Sequence, residues 1–240
     1  MTNLKLKDTF RFSCHDGLAC FKQCCRDINI FLTPYDVIRM KGKLGLSSGE
    51  FLAQYTHVLR APGSGFPVVI LKMREDNLVC PFITDYGCQI YDVRPWSCRM
   101  APVEVRGDGL YGIAFESSHC HGLKESKEWT VEEWMSNQGL SDYNEPEELF
   151  GQIPLQIKPS GNPSLDKVVM DMILIGCYDI DRFRSLIKDH PISEQSPEEL
   201  LTALDDDVAL MKFAFSWLPG QLNDKNKIVE LKQILSKGTK

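Results

Sequence analysis

The sequence predicts an α+β, helix-rich fold: a cysteine-cluster region with short hairpins over residues 1–130, followed by an acidic helical region over 131–240. Three observations carry this reading. Eight of the nine cysteines lie at or before Cys120, and only Cys177 lies beyond. Residues 1–130 hold 16 Lys and Arg against 14 Asp and Glu, whereas 131–240 hold 11 against 19. Apolar residues recur at helical spacing after Leu165, while the β-branched runs lie before Phe115. The 240 residues, 43% hydrophobic and 25% charged, are enough for a buried core and exclude disorder and fibrous repeats.

Taken in order, Cys14, Cys20, Cys24 and Cys25 open the chain's chemistry. Thr33-Pro34 has the form of an N-cap followed by proline at the first helical position, so a helix runs from Pro34 to about Lys43. It buries Val37, Ile38 and Met40 and ends at Gly45. Ser47 or Ser48 caps a second helix carrying Phe51, Leu52 and Tyr55. Phe66 to Met73, a turn at Asp76-Asn77 and Leu78 to Ile83 read as a hairpin that delivers Cys80. A second hairpin spans Val103 to Phe115 and turns at Gly107-Asp108-Gly109. The Arg106-Gly107-Asp108 triplet is read as that turn.

Thr130 and Glu133 form a capping box, so a helix starts there and passes Trp134. Residues 136–164, rich in Gly, Pro, Asn and Asp, read as a long connection. Leu165 to Cys177 and Ile180 to Lys188 are two helices. Ser196-Pro197-Glu198-Glu199 starts another, which aligns Leu200, Leu204, Val208, Met211, Phe215 and Leu218 on one stripe until Pro219-Gly220 stops it. Ile228 to Leu235 forms a final helix.

The longest apolar candidate for a membrane span, Val168 to Cys177, is short and interrupted by Asp171. The segment from Met1 to Asp8 lacks the apolar core of a secretory signal. The expected compartment is therefore the reducing cytoplasm, where structural disulfides are rare and clustered thiols are metal ligands. Eight thiols suffice for two four-cysteine sites: Cys14, Cys20, Cys24, Cys25, Cys80, Cys88, Cys98 and Cys120. If the first segment is helical, Cys20 and Cys24 share a face while Cys25 points about 100° away. Cys24 and Cys25 then belong to different sites with a common wall. Cys177, at helical spacing beside Ile173 and Leu174, is read as a core thiol.

Thiolates suit both zinc and iron–sulfur clusters. No Cys-x2-Cys knuckle of a zinc finger is present, which favours an iron–sulfur cluster (4Fe-4S) over zinc. His15, His119 and His121 adjoin cysteines; the simpler reading of each is a hydrogen-bonded or solvated histidine. Arg94 and Arg99 bracket Cys98 and either support thiolate charge or form surface ion pairs with Asp92 or Glu104. Two four-thiolate sites would add about −4 to a formal charge of −6, so neither nucleic acid nor a membrane is an expected partner.

The pattern Cys20-x3-Cys24-Cys25, Cys80-Pro81-Phe82 and Gly87-Cys88-x-Ile90-Tyr91-x-x-Arg94-Pro95-x-x-Cys98-Arg99-x-x-Pro102 resembles the bacterial YkgJ-type cysteine-cluster proteins. Cys14 matches that family's leading cysteine and Cys120 its closing one. His121 departs from the proline common after the latter. The resemblance implies zinc or iron chelation. A related signature in flagellin lysine N-methylases implies a second reading, cluster-dependent methyl transfer to protein lysines, although no S-adenosylmethionine motif is present. A third is a structural-zinc scaffold with the acidic helical half as its protein-binding surface.

Overall fold

The computed structural model describes residues 3–190 and 202–237. Strand β1 (Thr9–Arg11) leads through turns to one 3-10 turn at Gln23–Cys25. β2 (Phe31–Leu32) runs into α1 (Pro34–Leu44); α2 (Ser48–Tyr55), β3 (Thr56–Arg60) and β4 (Pro67–Leu71) follow. β5 (Ile83–Thr84), β6 (Gly87–Cys88) and α3 (Trp96–Met100) precede the hairpin of β7 (Val103–Gly107) and β8 (Leu110–Ile113). After β9 (Glu128–Thr130) the chain is helical: α4 (Val131–Asn137), α5 (Asn144–Gln156), α6 (Pro163–Cys177), α7 (Ile180–Asp189), α8 (Asp207–Leu222) and α9 (Lys225–Lys237). The architecture is α+β and helix-rich, with a helical C-terminal half. No helix among the described residues is long and apolar enough to cross a membrane.

These elements form two compact units. One takes residues 3–31 and 71–144; the other takes 32–70 and the described residues from 145 onward. In the first unit β1 pairs antiparallel with β9, setting Phe10 opposite Trp129. The capping box at Thr130 and Glu133 starts α4 directly after β9. That turn puts Trp134 edge-on to Phe10, Phe12 and Trp129, with ring centroids 6.2, 5.2 and 5.4 Å away. Its indole N–H donates to Met100 O at 3.0 Å, so the largest side chain of this cluster leaves no buried donor unpaired.

In the second unit both early helices begin with capping boxes, at Thr33 with Asp36 and at Ser47 with Glu50. Gly45, at φ 66°, ends α1 in the left-handed conformation glycine tolerates. Gly176 of α6 lets Leu218 of α8 approach; a Cβ there would stand 3.1 Å from the leucine side chain. The Lys41 ammonium is nearly buried, and Asp181 and Asp207 hold it at 3.0 and 2.7 Å. Arg184 bridges the same two carboxylates. An unpaired buried ammonium costs several kcal/mol, so this network keeps each charge matched.

Four expectations are corrected. β4 is the middle strand between β2 and β3 and does not pair with 78–83. Leu78, at φ 57°, interrupts the extended backbone. The segment bonds back to residues 25–27 instead: Asp27 N–H to Leu78 O and Cys80 N–H to Cys25 O, both at 2.8 Å. Second, 136–164 is not a long connection, because α5 fills much of it. Pro146 sits in its first turn, where backbone N–H groups have no intrahelical partner anyway, and Ile153 is buried. Third, no single helix runs from Ser196 through Leu218. Asp206 is extended and caps α8 by accepting from Ala209 N–H at 2.7 Å; Ser196 to Leu200 lie outside the described residues. Fourth, Pro219-Gly220 does not end α8. Asn223 does, its side-chain amide donating to Pro219 O at 3.0 Å and Gln156 O at 2.9 Å.

One carboxyl in this unit carries a pH prediction. Burial raises Glu147 to about 7, with Asp36 adding repulsion against a hydrogen bond from Thr33, and its Oε1 is buried without a partner. The folded chain thus keeps a proton that the unfolded chain releases near the ordinary value of 4.5. Glu147 favours folding below that pH and loses this advantage as pH rises through about 7. Glu147→Gln should remove this dependence, gaining on the order of 1–2 kcal/mol at pH 8 relative to pH 5 after solvent screening. Urea unfolding at the two pH values checks it. An equal difference at both would refute it.

Candidate metal centre

The first cysteine segment extends from β1. Phe12 N–H donates to Lys127 O at 2.9 Å and Ser13 N–H to Gly122 O at 3.0 Å. The Trp129 indole donates to Phe12 O at 2.9 Å. These bonds put Cys14 and Cys120 on two backbones in contact. Cys20 joins them, because His121 N–H donates to its sulfur at 3.2 Å. The stretch is a series of turns rather than an α-helix, entered at Lys22 with φ 70° and closed by the 3-10 turn Gln23–Cys25. A 3-10 turn advances about 120° per residue, so Cys24 and Cys25 still leave the backbone in different directions. The Cys25 thiol donates to Cys24, which holds Cys24 below the ordinary thiol range and drives Cys25 above it.

The second segment is tied to the first by the Cys80 N–H bond to Cys25 O. β6 places Cys88 and α3 places Cys98. Backbone N–H groups are aimed at the sulfurs: Phe82 at Cys80, Ile90 at Cys88, and Leu123 and Gly122 at Cys120. Such bonds favour thiolate and are of the kind that tunes sulfur-ligated metal centres. Burial opposes them, pushing Cys14 and Cys80 up to about 11 and raising Cys88 and Cys120. A metal that displaces these protons therefore binds more tightly as pH rises.

Several thiols also lie within electrostatic reach of one another. Cys14 feels Cys24, Cys20 and Cys120, and Cys120 feels Cys20 and Cys24. Cys25 feels Cys98 and Cys80, and Cys80 feels Cys88. All eight line one cavity of about 1230 Å³ in the first unit. Among the described residues, no three His, Cys, Asp or Glu side chains already converge as a metal-ligand set. The thiols are thus gathered but not closed on a point. Cys177 is absent from the cavity lining and is buried in α6.

The histidines divide. His119 and His121 line the cavity, whereas His15 does not and stands 3.7 Å from Glu125. The two arginines also separate. Arg99 is buried and spends its guanidinium on three carbonyls: Arg94 at 2.9 Å, Gln138 at 2.7 Å, and Asp92. It reaches the Asp92 backbone, and Glu104 pairs with Arg106. Arg94 lines the cavity, stacked 3.8 Å from the Tyr91 ring centroid and bonded to the Gln138 side chain. Gln138 carries no ligand signature in the sequence; only the fold reveals it as Arg94's partner.

Neither a curated protein nor a solved structure matches the chain. Residues 13–131 match the family model CxxCxxCC, described as "Putative zinc- or iron-chelating domain". The spacing here, Cys14-x5-Cys20-x3-Cys24-Cys25, is wider than the motif in that description. The match nevertheless begins just before Cys14 and ends beyond Cys120, taking in all eight cavity thiols, and residues 13–131 are a cysteine-cluster domain of this family.

Proposed function

We propose that the chain is a cytoplasmic protein that binds zinc or iron, an iron–sulfur cluster being favoured, through eight cysteines in two adjoining four-cysteine sites. Cys14, Cys20, Cys24 and Cys120 form one; Cys25, Cys80, Cys88 and Cys98 form the other. The observation that carries this reading is that all eight thiols line one cavity, with Cys14, Cys20 and Cys120 brought together by the backbone and Cys80 tied to Cys25. The absence of a Cys-x2-Cys knuckle favours iron–sulfur clusters over structural zinc. The backbone N–H groups aimed at sulfur suit the same reading. A cluster held there would supply one-electron transfer at a potential set by its surroundings. The chain's own residues contribute thiolates and sulfur-directed N–H donors. The acidic excess over 131–240 suits a protein partner rather than nucleic acid.

Anaerobically purified protein should be brown, with broad visible absorbance and matching iron and acid-labile sulfide. Colourless protein with stoichiometric zinc would overturn the cluster reading in favour of a structural-zinc scaffold. Calorimetric binding of S-adenosylmethionine to the metal-loaded protein would support methyl transfer instead.

A further inference from the structure

We propose that Arg94 is the cation shared by both sites, its Nε–H serving as a hydrogen-bond donor for a sulfur of the metal centre. The inference rests on the two-site reading. Arg94 Nε is buried without a partner in the structure, an unfavourable state for a donor on a charged group. The same side chain lines the thiol cavity. Its remaining contacts fix it there: the plane stacks on Tyr91, another nitrogen donates to Gln138, and Arg99 and Tyr143 both donate to the Arg94 carbonyl, at 2.9 and 3.5 Å. Arg99 also grips the Gln138 carbonyl. Arg94 is therefore held from both ends with one donor unused.

Its guanidinium lines the same cavity as all eight thiols, Cys14 and Cys88 of the two proposed sites included. Arg74 acts on Cys80, but its guanidinium already donates to Pro81 O and Ile83 O. Two four-thiolate sites side by side each carry about −2. A cation serving both offsets their mutual repulsion, and a guanidinium can do so without losing its proton.

The test is Zn²⁺ titration of the reduced, metal-stripped full chain against a chromophoric chelator. Two sites are expected in the parent protein. Arg94→Gln should weaken both by about tenfold or more, the scale of one charge-assisted hydrogen bond. Cys14→Ser should affect one site alone, and Arg94→Lys, which keeps the charge, should recover most of the loss. Unchanged affinity in Arg94→Gln, weakening at a single site, or equal loss in Arg94→Lys would overturn the proposal. One site or none in the parent protein would overturn the two-site reading itself, which is a separate result.

Discussion

Cys24→Ser is expected to lower bound metal to about half, and Cys25→Ser to do the same by emptying the other site. These neighbours are peptide-bonded, yet the proposed sites assign them to different thiols: Cys24 to Cys14, Cys20 and Cys120, and Cys25 to Cys80, Cys88 and Cys98. Serine removes a sulfur while preserving nearly the same volume, so each variant tests ligation rather than packing. A four-thiolate site reduced to three loses the closed coordination that structural metal requires. Metal analysis of each variant and of Cys24→Ser with Cys25→Ser gives the decisive pattern: about half, about half, and none. If either single substitution left full metal content, or either removed all of it, the shared wall would be wrong. Loss of everything from one change would instead indicate a single site using both residues.

The gathering of eight thiols around one cavity was readable in advance, because the cysteine excess before Cys120 stands out in the composition. A cysteine excess confined to one half of a chain points to metal binding. Caps were equally readable, since Thr33-Pro34, Ser47 with Glu50, and Thr130 with Glu133 each contain the whole device within four residues. Failures came where the deciding contact is distant or the local signal ambiguous. Cys80 is placed by a backbone bond to Cys25, which no periodicity near residue 80 encodes. Pro146 and Pro154 argued against a helix, but the burial of Pro146 and Ile153 outweighs that local cost. Pro219 similarly lies inside α8, where Leu218 and Leu222 are both buried. Arg94 and Arg99 looked equivalent beside Cys98; their carbonyl and amide partners, more than forty residues away in part, made one a clamp and left the other in the cavity.

Gly122→Ala should empty the site containing Cys14 and Cys120 while the Cys25 site stays loaded. The glycine needs no left-handed backbone; what it provides is space. A Cβ at this position would lie 2.8 Å from Ser13 O and 2.9 Å from the Phe12 ring. Neither neighbour yields readily. Ser13 O belongs to the backbone whose N–H bonds Gly122 O at 3.0 Å. Phe12 is packed edge-on to Trp134, and that indole is anchored to Met100 O. The two backbones must therefore separate, carrying Cys14 away from Cys120 and disturbing the His121 N–H bond to Cys20. Overpacking of this kind costs about 1–3 kcal/mol, so the variant should fold with a lower midpoint and about half the metal. Adding Cys25→Ser should remove the remainder, whereas adding Cys14→Ser should change little. Full metal content and an unchanged unfolding midpoint would show that residues 12–14 can move without cost, contrary to the packing around Phe12. Retention of metal at the first site with a lowered midpoint would separate stability from ligation, leaving Gly122 a packing residue alone.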